Sequence, residues 1–132
     1  MNNHQLLHEQ LFPRPRACEW SDQVVDRSVL QRITRQVDTA GVKQEQGYRI
    51  RISPDGVDIV AHDEAGLFYA DQTLAQIVEV VECVTPCGEI NDWPDFKIRG
   101  YLLDISRDRV PSLSTLCAII DRFAAWKINQ LH

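Results

Sequence analysis

Two runs near the middle of the chain alternate apolar and polar side chains, and they define its clearest elements. In "GYRIRIS" Tyr48, Ile50 and Ile52 share one face while Arg49 and Arg51 take the other. "PDG" at 54–56 is turn chemistry, after which Val57, Ile59 and Ala61 alternate through "VDIVAHD". This pattern predicts an antiparallel hairpin over 47–62 with one solvated face. Asp63 then caps a helix expected over 64–82, with Leu67, Ala70, Leu74, Ile77, Val78 and Val81 as its apolar stripe. That helix should cover the hairpin face bearing Ile50, Ile52, Val57 and Ile59.

The flanking patterns are less regular. Residues 1–15 begin polar and then carry Pro13 and Pro15, which reads as a short helical or loose leader. "RACEW" (16–20) is a strand candidate and opens a small domain over 16–84. In residues 26–37, Val29, Leu30, Ile33 and Val37 fall at helical spacing behind Asp26 or Ser28 as N-cap, so a helix is expected there. "TPCGEINDWPDF" (85–96), with two prolines and a glycine, reads as a linker. Over 97–132 the pattern changes. "YLLDI" is almost continuously apolar, the mark of a strand buried on both faces in a parallel sheet. A helix is expected over 113–127, capped by Ser112 or Ser114, with Leu116, Ile119, Ile120, Phe123 and Trp126 on its core face. "INQLH" (128–132) begins another apolar run, giving strand–helix–strand.

Composition narrows the function classes. The 132 residues are 44% hydrophobic and 25% charged, as in a soluble globular chain, and the net charge of −5 disfavours a nucleic-acid partner. No apolar run is long enough to span a membrane, and the N-terminus lacks a basic start followed by an apolar core. A cytoplasmic location and no membrane partner are therefore expected. Cys18, Cys83, Cys87 and Cys117 read as isolated structural thiols, with a Cys83–Cys87 disulfide as the alternative. The CxxxC spacing has no second pair or nearby histidines, and His4, His8, His62 and His132 form no ligand set, so no metal or cofactor is expected. Trp20, Trp93 and Trp126 are scattered among elements and read as packing residues rather than a sugar platform.

Several motifs occur in an order that resembles the β-N-acetylhexosaminidases of glycoside hydrolase family 20. Pro94, Phe96, Arg99-Gly100, the run Leu103-Asp104-Ile105-Ser106-Arg107, Pro111 and then Lys127-Ile128-Asn129-Gln130-Leu131 are similar to the opening of that family's catalytic barrel. Upstream, Gly66, Phe68, Tyr69, Gln72, Thr73, Leu74 and Gln76 match the helix of the small α/β domain that precedes the barrel. The resemblance implies an α+β fold: a small antiparallel sheet covered by helices, followed by an incomplete (β/α) barrel start.

The resemblance also implies a function. The expected reaction is hydrolysis of terminal N-acetylhexosamine from glycans with retention, in which the substrate's acetamido oxygen replaces a carboxylate nucleophile. Arg107, just past a strand's C-terminal end, is the implied substrate-binding residue, because barrel sites gather there and a guanidinium can hold two neighbouring hydroxyls. The other reading pairs Arg107 with Asp104 or Asp108. Arg99 and Asp104 are expected to be structural. The family often has histidine where Asp108 stands. No Asp-Glu pair occurs in 97–132, and Asp63-Glu64 reads as an acidic helix start, so no catalytic residue is expected in this chain. The expected identity is an inactive N-terminal fragment that self-associates through its unfinished barrel; the alternative is a non-catalytic module binding a carbohydrate or a partner.

Overall fold

The computed structural model describes residues 3–107 and 110–132; Asp108 and Arg109, and with them any Arg107–Asp108 pair, lie outside the described residues. The chain runs α1 (Asn3–Gln10), β1 (Ala17–Asp26), a 3-10 turn (Arg27–Gln31), β2 (Ile33–Val37), β3 (Tyr48–Ser53), β4 (Gly56–Ala61) and α2 (Glu64–Val80). It continues through β5 (Val84–Asp92), β6 (Gly100–Tyr101), α3 (Leu113–Ala125) and β7 (Gln130–Leu131). Strands β1 to β5 form one sheet in the order β1-β5-β3-β4-β2, and β6 pairs with β7 in a second. No described helix is long and apolar enough to cross a membrane.

The hairpin and its covering helix form as their patterns predict. β3 and β4 pair antiparallel with Ile50 opposite Ile59, and Tyr48, Ile50, Ile52, Val57, Ile59 and Ala61 are all buried. The side chain of Asp63 caps α2 by accepting from Gly66 N at 2.8 Å. Ala70, Leu74 and Ile77 pack the helix onto the sheet, with Tyr69 and Thr73 buried beside them. A Cβ at Gly66 would lie 2.3 Å from the Gly47 carbonyl oxygen, so the first turn of α2 approaches the sheet more closely than any side chain permits.

Three expectations are corrected. Residues 26–37 are not a helix. Asp26 caps as expected, accepting from Ser28 N, but the turn it opens is 3-10 and ends at Gln31. Ile33–Val37 then joins β4 as a parallel edge strand, which makes the sheet mixed rather than antiparallel. Ile33 and Val37 also fall on one face at a period of two, and the β-branched Ile33, Thr34 and Val37 favour that choice. The segment expected as a linker over 85–96 contains β5, which lies between β1 and β3. Pro86 is accommodated beside the irregularity in the β1–β5 ladder. The leader takes the helical of its two expected forms: α1 buries Leu7, and Leu11 just beyond it also enters the core. Gln76 of α2 grips the chain just beyond, its Oε1 accepting from Phe12 N at 2.8 Å and its Nε2 donating to Phe12 O at 2.7 Å.

The third correction concerns 97–132. β6 and β7 are parallel and flank α3, so the strand–helix–strand order is present, but "YLLDI" is not buried on both faces. Gly100 and Tyr101 are the ladder residues of β6; backbone bonds from Asn129 N and Gln130 N to Arg99 O, from His132 N to Tyr101 O and from Leu103 N to His132 O extend the pairing, and Leu102 is 76% exposed. α3 is capped by Ser112, whose Oγ accepts from Thr115 N, yet none of its side chains is fully buried. Leu116, Ile119 and Phe123 are half-buried, and Ile120 and Trp126 are exposed. A parallel strand is buried only when helices cover both faces and strands flank both edges, and β6 has one helix and one neighbour.

Candidate functional site

Arg107 lies six residues past the end of the β6 ladder, in an exposed bend. Asp104 does not hold it through its bonded oxygen: Asp104 Oδ1 accepts from both the backbone N and the Oγ of Ser106. Those two bonds lower the Asp104 carboxyl below its ordinary range. The result is a tight turn at the C-terminal end of the strand, built by an Asp whose side chain mimics a backbone acceptor. It leaves the Arg107 side chain at the surface, on the side of a parallel strand where α/β folds place their ligands.

The Asp63-Glu64 pair is the start of α2. Asp63 accepts from Gly66 N through Oδ1 and from Gln46 N through Oδ2 at 2.9 Å, and Glu64 is exposed in the first turn. Both oxygens of Asp63 are engaged with backbone donors, which suits a cap and leaves no acid for proton transfer. His62 Nδ1 pairs with the Val42 carbonyl at 2.7 Å. Among the described residues no three His, Cys, Asp or Glu side chains gather as a metal site, and all four cysteines are free thiols.

The most organised polar cluster lies where the five-stranded layer meets α3. Lys127 Nζ donates to Asp92 Oδ2 at 2.9 Å and to Tyr48 OH at 2.7 Å. Tyr48 OH donates to the same Asp92 oxygen at 2.9 Å and lies 2.7 Å from Thr73 Oγ1. With Tyr48 donating to Asp92, the remaining bond runs from the Thr73 hydroxyl to Tyr48. Lys127 and Asp92 are 7% and 9% exposed. Burial lowers the Lys127 ammonium below its ordinary range in spite of Asp92. Burial, and then the Asp92 charge, push the Tyr48 phenol well up, and the same two causes raise the neighbouring Cys18 thiol to about 11. A buried lysine with a lowered pKa is a common catalytic device. Here Lys127, Tyr48 and Thr73 are bonded to one another and to Asp92, so the group acts as a joint between the sheet and the end of α3.

The other residues of the matching motifs complete that joint. Arg99 Nε donates to Lys127 O and Nη1 to Phe96 O, both at 2.6 Å, and its guanidinium lies over the Tyr69 ring. Asn129 Oδ1 accepts from Arg99 N, and its Nδ2 donates to Lys97 O, each at 2.8 Å. Arg99 is thus structural, as expected. Trp126 meets Phe12 edge-on with ring centroids 5.7 Å apart. Trp93 lies beneath the Arg16 guanidinium. Sequence reasoning singled out Tyr48, Thr73 and Lys127 but not Asp92, which joins them. Asp92 was hidden in the supposed linker, and its signal was parity: it shares the inward face of β5 with Ile90. Thr73 lies one helical turn from both Tyr69 and Ile77 and belongs to the same stripe.

This architecture has known counterparts. The sequence matches glycosyl hydrolase family 20, domain 2, over residues 18–93. A beta-hexosaminidase of Porphyromonas gingivalis is 38% identical over 105 residues, covering 73% of this chain and 13% of that protein. An N,N'-diacetylchitobiase of Vibrio harveyi is 35% identical over 95 residues, covering 71% of this chain and 11% of that one. The solved beta-N-acetylhexosaminidase of Bacteroides fragilis superposes with a TM-score of 0.76 at 26% identity, covering 93% of this chain and 32% of the other. The chain therefore spans a small part of the length of these relatives. Residues 18–93 are more than half of the sequence and coincide with β1 to β5 and α2, and the chain belongs to glycosyl hydrolase family 20.

Proposed function

We propose that this chain is the N-terminal part of a retaining β-N-acetylhexosaminidase that removes terminal N-acetylhexosamine by substrate-assisted catalysis. The small α+β layer is its domain 2, and β6–α3–β7 is the opening βα unit of a barrel whose later strands supply the catalytic Asp and Glu. Arg107 holds hydroxyls of the terminal sugar. The observation that carries this reading is the parallel β6–β7 pair around α3, with Arg107 six residues beyond the end of β6. The printed names of the relatives, beta-hexosaminidase and N,N'-diacetylchitobiase, support the substrate class.

Each residue then has a task. Arg107 orients the sugar through paired donors. Asp104 and Ser106 shape the turn that presents it. Lys127, Asp92, Arg99 and Asn129 fix the strand end relative to domain 2. The proton transfers belong to the Asp-Glu pair outside this sequence. The 132-residue chain alone should release no chromophore from a nitrophenyl β-N-acetylglucosaminide above background.

The test uses the polypeptide encoded by the whole reading frame that contains this sequence. It should cleave that substrate, and Arg107→Ala should lower kcat/KM by about tenfold to a hundredfold, the worth of a charged hydrogen bond. Unchanged kinetics in Arg107→Ala would remove Arg107 from the site. Turnover by the 132-residue chain itself, abolished by Glu64→Gln, would overturn the reading.

A further inference from the structure

The five-stranded sheet ends in two unlike edges, β1 and β2. The β1 ladder with β5 breaks between Trp20 and Val24, where Ser21, Asp22 and Gln23 stand opposite Cys87 alone. Such a bulge bends a strand and keeps its edge from pairing further. β2 has no such guard. It pairs with β4 from Ile33 to Val37 without a register shift, and it contains no proline. Ile33 is half-buried, and Thr34, Arg35, Gln36 and Val37 are exposed. Among the described residues no strand lies on its outer side.

The direction of each backbone group in β2 follows from the bonds at its two ends. Val57 N donates to Arg32 O and Asp38 N donates to Ala61 O, both at 2.8 Å. Bonds to β4 therefore fall on the even-numbered residues, and Ile33, Arg35 and Val37 turn N–H and C=O away from the sheet. The side chains of those three lie opposite Val57, Ile59 and Ala61, on the face that α2 covers. Arg35 reaches α2 there, its Nη2 lying 2.9 Å from Asp71 Oδ1. Thr34 and Gln36 take the solvated face. Ile-Thr-Arg-Gln-Val thus runs apolar, polar, charged, polar, apolar, the same pattern in either direction.

We propose that the β2 edge binds a second copy of this chain, β2 against β2 and antiparallel, across a two-fold axis at Arg35. A two-fold interface must be complementary to itself, and a strand whose pattern survives reversal meets that need. Ile33 then faces Val37 of the second copy, Thr34 faces Gln36, and Arg35 faces Arg35. Each outward pair exchanges two backbone hydrogen bonds. Apolar side chains meet on the α2 face, and hydroxyl meets amide on the other. The two guanidinium groups are like charges, but each brings its own Asp71 carboxylate, so the charges at the axis sum to zero. A slip of one residue sets outward groups against groups bonded to β4, and a slip of two puts Arg35 against an apolar residue. An unrelated extended peptide could borrow the backbone bonds but not the reciprocal pairs. The pairing uses none of β6, α3 and β7 and does not depend on the part assigned to Arg107.

The test is residue-resolved amide exchange of the 132-residue chain at about 0.01 mM and about 1 mM, concentrations that bracket a Kd on the order of 0.1 mM, as suits so small an interface. The chain carries Leu102→Gln and Ile120→Gln, which blunt association through the α3 face. The amides of Ile33, Arg35 and Val37 should exchange about fourfold more slowly at the higher concentration. Thr34 and Gln36, already bonded to β4, should change little. Val37→Pro removes one outward N–H and spares the inward bonds, and Val37→Lys sets a charge in the apolar pair. Each should keep Ile50 and Ile59 protected and abolish the slowing at Ile33 and Arg35. Fast exchange at Ile33, Arg35 and Val37 at both concentrations overturns the proposal. So does slowing confined to Thr34 and Gln36, or protection of Ile33 and Arg35 that survives both substitutions.

Discussion

The five-stranded layer and the β6–α3–β7 unit are both rich in apolar side chains, and they place them differently. In the layer, Ile50, Val57 and Ile77 are wholly buried between sheet and helix. In the unit, Leu102 and Leu113 are 76% and 77% exposed, and Ile120 and Tyr101 are exposed with them. Each large side chain left in water forgoes roughly 1.5–3 kcal/mol. The first region buries its main apolar face between sheet and helix, and the second leaves much of its own in contact with solvent. The difference teaches that an apolar pattern states what an element is made to touch, and not what it touches in a given chain.

The joint between the regions should be the most sensitive point. Lys127→Met keeps the length of the side chain but leaves Asp92 buried without its cation, and should cost about 3–5 kcal/mol in urea unfolding. Lys127→Met with Asp92→Leu removes both charges and should recover much of that loss. If Lys127→Met is as stable as the parent, the joint does not hold the regions together.

A pair of truncations sharpens the contrast. Ile59→Ala, at a site 1% exposed, should cost about 2–5 kcal/mol, whereas Leu102→Ala should change stability by no more than about 0.5 kcal/mol. Equal losses would mean that β6 is as well packed as β4.

The exposed face should also reveal itself in association. Uncovered apolar patches and strand edges recruit partners. The 132-residue chain should show a mass in light scattering that rises with concentration above the 15.1 kDa of one chain. Leu102→Gln with Ile120→Gln should shift it toward the monomer. A concentration-independent monomer in the parent would mean that the face needs no cover.

The smallest effect is on pH. The Cys18 thiol is raised from 9.0 to about 11 in the fold, first by burial and then by Asp92. Between those values the unfolded chain has released a proton that the folded chain retains, so this contribution to stability is full below pH 9 and is lost as pH rises toward 11. The urea midpoint of Cys18→Ala should therefore fall less steeply than the parent's over that range. Identical slopes would place the thiol in water.

What was legible in the sequence follows from how local each signal is. Tyr48 to Ile77 carried two clean periods and a capping Asp, and the hairpin and α2 form there. The pattern Ile33–Val37 was compatible with both periods, and only its neighbour β4 decides for a strand. β5 was obscured by Pro86 and Gly88, although both sit in a strand flanked on each side by partners. Leu7 and Leu11 lay in a polar context that averages away an apolar pair one turn apart. At the joint, the structural part of Arg99 could be read from motif order. The left-handed backbone of Gln46, with φ +60°, could not: its N–H is held by Asp63, which is remote from it in sequence.

Hydrogen exchange resolved by residue, on dilute monomeric chain, tests the contrast most directly. Amides of β3, β4 and α2, such as Ile50, Ile59 and Leu74, should open only with global unfolding. Amides in the middle of α3, such as Ile119 and Ile120, should exchange at least a hundredfold faster, through local opening that leaves the five-stranded layer intact. Equal protection of α3 and α2 would contradict the account, because it would make the βα unit as firmly packed as the five-stranded layer.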